Sequence, residues 1–326
     1  MPQVKSVDAL MKYLRSHHGI AIKGSVLKRK LRNIGYYHGY KGYRFIRKPA
    51  NRIAFSDFRE IVAINELDQR LKSLFYSRLM FVETALKNYV LEIFMKHSKT
   101  HNFSIIYNQL ITDYRRHSPG SKSYKEAVQK RLKVRDQIFS ALTRDFGNGH
   151  NVVKHFYDKD EPVPIWAIFE VLTLGQFGFL VECCETAIKR EIGKSLQINA
   201  AFDSDGCLTE KIIFLIRDLR NAVAHHAVVF DARFNRRTPA NRLIQCLTHE
   251  TGAASLSFEF IIDYLVLITY VLKNLAVPKL DLRLFLRDFQ ALHDDFYRQM
   301  PPTVYLQVFG IDARTKMAKI QLYVAR

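Results

Sequence analysis

The run Arg220-Asn221-Ala222-Val223-Ala224-His225 places an arginine, an asparagine and a histidine within six residues. Histidine titrates near neutral pH and can accept or donate a proton. A guanidinium binds phosphate through two parallel hydrogen bonds and stabilises charge as it develops. Asparagine orients either group. These residue types suit cleavage of an RNA phosphodiester by its own 2′-hydroxyl. His225 would be general acid or base, and Arg220 would stabilise the crowded phosphorane-like oxygens. One histidine does not easily serve both the attacking and the leaving oxygen. A two-fold homodimer, with two copies of the motif across one cleft, would supply the second. No carboxylate cluster or His-x-x-x-His spacing announces a metal site, so neither metal nor other cofactor is expected. Taken alone, so short a pattern also arises by chance on a basic helix.

The motif needs a helix to carry it. Leu208-Thr209-Glu210 opens one, with Thr209 as a candidate cap. At about 100° per residue, Ile212, Ile216, Leu219, Val223, Ala227 and Phe230 form one core-facing stripe. With Ile216 at zero, Asn221 lies at about 140° and His225 at about 180°, opposite the core. They are also i, i+4 neighbours. His226 falls at about 280°, which predicts a packed, hydrogen-bonded histidine beside a free His225. Arg220 lies at about 40°, at the border of the stripe. An ideal helix therefore does not put it on the face of His225, although its long stem can bury while the head swings round.

Other elements must hold this helix. Ser56 or Asp57 caps a long one, whose apolar residues recur from Ile61 to Met95 at helical spacing and form the spine of a bundle. Glu83 interrupts that pattern, either as a half-exposed acid or as the partner of an active-site cation. Residues 98–155 are polar and basic and read as a loop with one amphipathic helix near Lys125 to Leu142; Ser118 to Ser121 and Gly147-Asn148-Gly149 are turns. Pro162 to Pro164 fix an extended entry to a helix from Ile165 to Leu174. Gly175 breaks it, and Phe177 restarts the apolar pattern to about Ile188. Beyond Pro278, Leu282 to Tyr297 reads as one more amphipathic helix ended by Pro301-Pro302, and Ile320 to Val324 as a short strand.

The net charge of +19 favours an acidic polymer as partner, nucleic acid before an anionic membrane surface. Its distribution sharpens this, because no acidic residue lies between Asp8 and Asp57. That window holds two short helices, Val7 to Leu14 and Ser25 to Ile34, the first capped by Ser6 and the second closed by Gly35. A run of tyrosines, glycines and cations follows from Tyr36 to Phe45. Lys28, Arg29, Lys30, Arg32, Lys41, Arg44, Arg47 and Lys48 would hold RNA phosphates, while Tyr36, Tyr37, Tyr40 and Tyr43 stack on unpaired bases. Tyr36 and Tyr37 read equally well as half-buried packing anchors, and two helices before a glycine turn also suit a DNA-touching helix–turn–helix. Cys183, Cys184, Cys207 and Cys246 have no Cys-x-x-Cys spacing and read as reduced thiols of a cytoplasmic protein. No stretch has the pattern of a signal peptide or the length of a membrane span.

Four segments carry a family likeness: Leu31 to Tyr37 with Gly39-Tyr40; Phe81-Val82-Glu83; Pro164-Ile165-Trp166 through Gly175; and Leu219-Arg220-Asn221 through Ala224-His225-His226. Their order and spacing resemble the Abi-like family of bacterial abortive-infection proteins, the AbiD/AbiF group, whose core belongs to the HEPN superfamily. The resemblance implies a mainly-α fold: a HEPN-like helical bundle over residues 56–280, a small basic RNA-binding module over 1–55, and a C-terminal helix and tail over 281–326. It assigns Arg220, Asn221 and His225 as the catalytic set of a metal-independent endoribonuclease, with Glu83 and His226 in support. It also implies phage defence, toxin–antitoxin control and, in some members, a structured noncoding RNA as partner. The family often places an arginine shortly after the two histidines. Here Ala227-Val228-Val229-Phe230-Asp231 has none, and Arg233, Arg236 and Arg237 are candidates to compensate. The alternative is a non-catalytic RNA- or DNA-binding regulator on the same scaffold.

Overall fold

A computed structural model describes residues 5–148, 151–235 and 237–326. Among them apolar residues recur at helical spacing, and the fold is mainly α, with no strand. Helices α1 (Val7–His18) and α2 (Gly24–Ile34) lead into a π-helical turn, Gly35–Lys41. The spine is α3 (Phe58–Ser98), 41 residues long and capped by the Asp57 carboxylate. Then come α4 (Phe103–Leu110), a 3₁₀ turn at Asp113–Arg116, α5 (Lys122–Gly147), α6 (Asn151–Tyr157), α7 (Ile165–Val171), α8 (Leu174–Glu182) and α9 (Thr186–Ser195). Helix α10 (Leu208–Ala224) carries the arginine motif. The chain closes with α11 (Asn241–Thr251), α12 (Ile261–Asn274), α13 (Lys279–Gln299), α14 (Pro302–Phe309) and α15 (Ala313–Ala325).

Helix α10 packs chiefly on α8 and α3, and α13 lies along α3 as well. Every residue of α12 from Ile261 to Leu272 is buried. Its one carboxylate, Asp263, is matched by Lys316 Nζ at 2.7 Å and by the N–H of Phe258 at 2.8 Å, as a buried charge requires. The buried apolar side chains form one continuous core from Met11 to Val324.

Several expected boundaries move. The strand expected at Ile320 to Val324 is part of α15, because Ile320, Tyr323 and Val324 follow a helical period against α12 and α13. Pro302 does not only end a helix; it opens α14, where a missing N–H costs nothing. The break after α7 comes at Leu172-Thr173, ahead of Gly175, since Thr173 and Gln176 form a reciprocal capping box that starts α8. Gly175 lies inside α8, where an added Cβ would come within 3.1 Å of Arg217 Cδ. The polar stretch 98–155 is more helical than expected, with α4 and α6 flanking α5. Gly149 and Arg236 lie outside the described residues.

Thr209 is not the cap of α10 but a buried residue of its first turn. The segment before the helix is held by Asp203, whose Oδ1 accepts the Leu208 N–H at 2.8 Å. Burial pushes the Asp203 carboxyl up from 3.8 to about 6. The folded state therefore holds this proton more tightly than the unfolded chain. Stability is expected to fall as pH rises from about 3.8 to about 6. Asp203→Asn keeps the acceptor without the charge. It should stabilise the protein by about 1–3 kcal/mol at pH 7 and flatten the pH dependence of urea unfolding in that window. An unchanged slope would remove Asp203 as its source.

Candidate active site

Two acid–lysine pairs on α3 organise the site. Asp68 is fully buried and pairs with Lys72 at 2.6 Å; Glu83 pairs with Lys87 at 3.4 Å. Each is an i, i+4 pair, and each acid has a second task. Glu83 Oε2 accepts from Arg220 Nε at 2.9 Å. Asp68 Oδ1 accepts the backbone N–H groups of Val229 at 2.7 Å and Phe230 at 2.9 Å. Asp68 and Glu83 are about 22 Å apart along α3 at 1.5 Å per residue. Between them they fix both ends of the stretch from Arg220 to Phe230.

Arg220 is half-buried and its head turns to Glu83, so the acid of α3 holds a cation of α10. Nη1 of Arg220 also donates to Asn221 Oδ1 at 3.3 Å. Of the five guanidinium N–H groups, the three others have no partner among the described residues. The border position of Arg220 on the helical stripe thus puts its stem against the core and its head on an acid.

The helical wheel does not extend past Ala224. His225 is the C-cap of α10, with its backbone N–H on Asn221 O at 2.9 Å. Its side chain is exposed, with no hydrogen bond or ion pair among the described residues. His226 has a left-handed backbone, φ 56°, which turns the chain off the helix axis. The packed His226 expected from the wheel is therefore corrected: it is exposed, as is Ala227, because neither residue is helical. Phe230 still reaches the core, carried there by the loop pinned to Asp68. Lys72 first, then partial burial, hold the His226 imidazole below its ordinary pKa, with Asp68 opposing and His38 adding to the shift.

A family model described as Abi-like protein matches residues 29–231, from α2 through both acid clamps to Asp231. The chain belongs to the Abi-like protein family. Membership points to abortive infection as its function. No curated protein and no solved structure matches the chain. No helix among the described residues of this Abi-like protein is long and apolar enough to cross a membrane.

The N-terminal residues divide sharply. Tyr43 is buried and donates its hydroxyl to Asp68 Oδ2 at 3.0 Å, and Tyr40 is buried against His18 and Tyr36. Neither presents a face to a base, so their expected stacking role is corrected to packing. Tyr36 is half-buried among Tyr13, Tyr37 and Tyr40, the anchor alternative, whereas Tyr37 is 77 % exposed. Arg47 is drawn inward: it pairs with Glu259 at 2.8 Å, stacks over Phe260, and donates its backbone N–H to Asp231 at 2.6 Å. Lys28 and Lys30 pair with Asp8 and Glu66. Arg29, Arg32 and Lys48 are exposed, and Lys41 and Arg44 half-buried, with no acidic partner among the described residues.

Arg233, a candidate to compensate for the family arginine, is half-buried in the loop after α10. It is tied to Asp231 at 2.8 Å and to the carbonyls of Gly42 and Phe45, which fastens the tyrosine segment to the loop after α10. Arg237 lies over Phe214, 3.9 Å from Asp218. The residue most missed from sequence was Asp68. Its signal was available: an acid one turn after Ile64 and beside Leu67, with a lysine four residues on.

Proposed function

We propose that this Abi-like protein is a metal-independent endoribonuclease of the HEPN type that acts in phage defence in the cytoplasm. The observation that supports this most is the Glu83–Arg220–Asn221 chain, which leaves three guanidinium N–H groups without a partner among the described residues, five residues before an exposed His225. In this reading those N–H groups hold the scissile phosphate and stabilise the phosphorane charge. His225 moves the proton of the attacking or leaving oxygen, and the matching histidine of a second copy in a homodimer serves the other. The test is cleavage of RNA by purified protein with product-end analysis. Ends carrying 2′,3′-cyclic phosphate, formed equally in EDTA, are expected. Products with a 3′-hydroxyl, or activity abolished by EDTA, would overturn the reading.

The N-terminal cations without an acidic partner among the described residues support binding of RNA, either as substrate or as a structured noncoding partner. Arg29→Ala with Arg32→Ala is expected to make the dependence of log affinity on log salt shallower by about 1–2. A salt titration of RNA binding measures it, and an unchanged slope would place the RNA elsewhere. The same surface favours a second reading, a non-catalytic RNA- or DNA-binding regulator. Toxicity separates the two: expression of wild type, but not His225→Ala, should arrest growth if the enzyme reading holds.

A further inference from the structure

The N-terminal tyrosines Tyr40 and Tyr43 are buried, but large aromatic rings stand exposed elsewhere. Phe139 and Phe146 of α5 are each 45 % exposed, and Tyr157 at the end of α6 and Trp166 in α7 each 46 %. A contiguous apolar patch left in water marks an interaction surface. These four rings are contiguous. Phe139 and Phe146 are seven residues apart, which puts them on one face of α5 about 10 Å from each other. Phe146 meets Tyr157 edge to face, with centroids 5.5 Å apart. Phe156, next to Tyr157 in the chain, meets Trp166 in the same way at 5.4 Å. Phe139 is braced likewise by Phe103 at 6.4 Å.

Cations flank the patch. Lys133, Arg135 and Arg144 of α5 are exposed and have no acidic partner among the described residues, against one exposed acid in that stretch, Asp136. The Arg135 guanidinium lies 5.7 Å from the centre of the Phe139 ring. Rings interleaved with cations suit an unpaired RNA strand, whose bases stack on the rings while its phosphates take the charges. A second copy of the chain fits less well, because two-fold pairing of this face would bring like charges of both copies together.

The patch also leads toward the arginine of α10. Arg144 Nη2 donates to Val171 O at 3.1 Å, and Lys87 Nζ donates to the next carbonyl, Leu172 O, at 2.8 Å. Lys87 pairs with Glu83, and Glu83 holds Arg220. The end of α5 that carries Phe146 is thus joined, through the C-terminus of α7, to the acid that positions Arg220.

We infer that the outer face of α5, extended by Tyr157 and Trp166, is a stacking platform for the unpaired bases of a single RNA strand approaching Arg220. The inference rests on the ribonuclease reading for the strand's destination, but its main test reads binding alone.

Trp166 is the only tryptophan of the chain, so its fluorescence reports on this patch. The full chain carrying His225→Ala, so that no strand is cut, is titrated with a single-stranded oligouridylate and with an RNA duplex of the same length. The single strand is expected to quench Trp166 and the duplex to leave it unchanged. Phe139→Ala and Phe146→Ala should each weaken single-strand binding by about 5- to 150-fold, the loss of one stacked base, whereas Phe139→Tyr should retain it. An equal response to duplex and single strand, or alanine variants that bind like their parent, overturns the platform whether or not RNA is cut. A blue shift on phosphatidylserine vesicles with no response to RNA assigns the face to a membrane instead, and a dimer lost in Phe146→Ala assigns it to a second copy. In cleavage by the otherwise native chain, Phe146→Ala should raise KM and leave kcat unchanged; an unchanged KM overturns the approach to Arg220. Single-strand stacking by a protein that cuts no RNA keeps the platform and removes the nuclease.

Discussion

His225→Ala is expected to slow RNA cleavage by about 10²–10⁴-fold, the usual contribution of a positioned general acid or base. The unfolding midpoint should not move, because the side chain is exposed and bonded to nothing among the described residues. Arg220→Ala should lose about 10²–10³-fold in rate and should also destabilise the fold. It leaves Glu83, 8 % exposed, with Lys87 as its remaining cation. Arg220→Lys is not a conservative change here, since an ammonium cannot serve Glu83, Asn221 and a phosphate from one planar fork. The measurement is single-turnover cleavage of a labelled RNA beside a thermal melt. A His225→Ala variant with more than a tenth of the wild-type rate would sink the assignment.

Asp68→Ala is expected to cost about 3–5 kcal/mol of stability. It would strip Lys72 of its 2.6 Å partner, the Val229 and Phe230 N–H groups of their acceptor, and Tyr43 of its own. Asp68→Asn should cost less, because an amide oxygen still accepts the two backbone N–H groups. Asp68→Asn with Lys72→Met should recover part of the loss by removing the buried, unpaired ammonium. Urea unfolding measures all three, and a loss below about 1 kcal/mol for Asp68→Ala would show that the clamp is not structural.

The helical class, the long spine and the inward faces of α3 and α10 were legible because one period governs them: Ile64, Leu71 and Phe75 on α3, and Ile212, Ile216 and Leu219 on α10, are all buried. The Glu83–Arg220 contact was half legible. The interruption of an apolar face marks Glu83, but only the packing of α3 on α10 supplies its partner. His226 was misread because a periodic argument has no way to see where a helix stops. The pattern at Ala227 and Phe230 continued by coincidence while the backbone turned left-handed at His226. Tyr40 and Tyr43 were misread for a related reason. Composition around them suggested a nucleic-acid surface, but Tyr43 is tied to Asp68 of α3 and Tyr40 packs on His18 of α1 and on Tyr36, which composition does not show.

The Asp68 clamp also has a consequence in time. Its backbone partner Val229 lies 161 residues further along the chain. At about 5–20 residues per second of synthesis, roughly 10–30 s separate the two on the ribosome. Throughout that interval Asp68 has only Lys72 and Tyr43 among its folded-state partners, and the loop that will dock on it is not yet made. On the ribonuclease reading proposed above, a nascent chain long enough to bind RNA through its basic N-terminal segment would still lack His225. On that reading, cleavage would have to wait until residues 220–230 had been made and docked on Asp68.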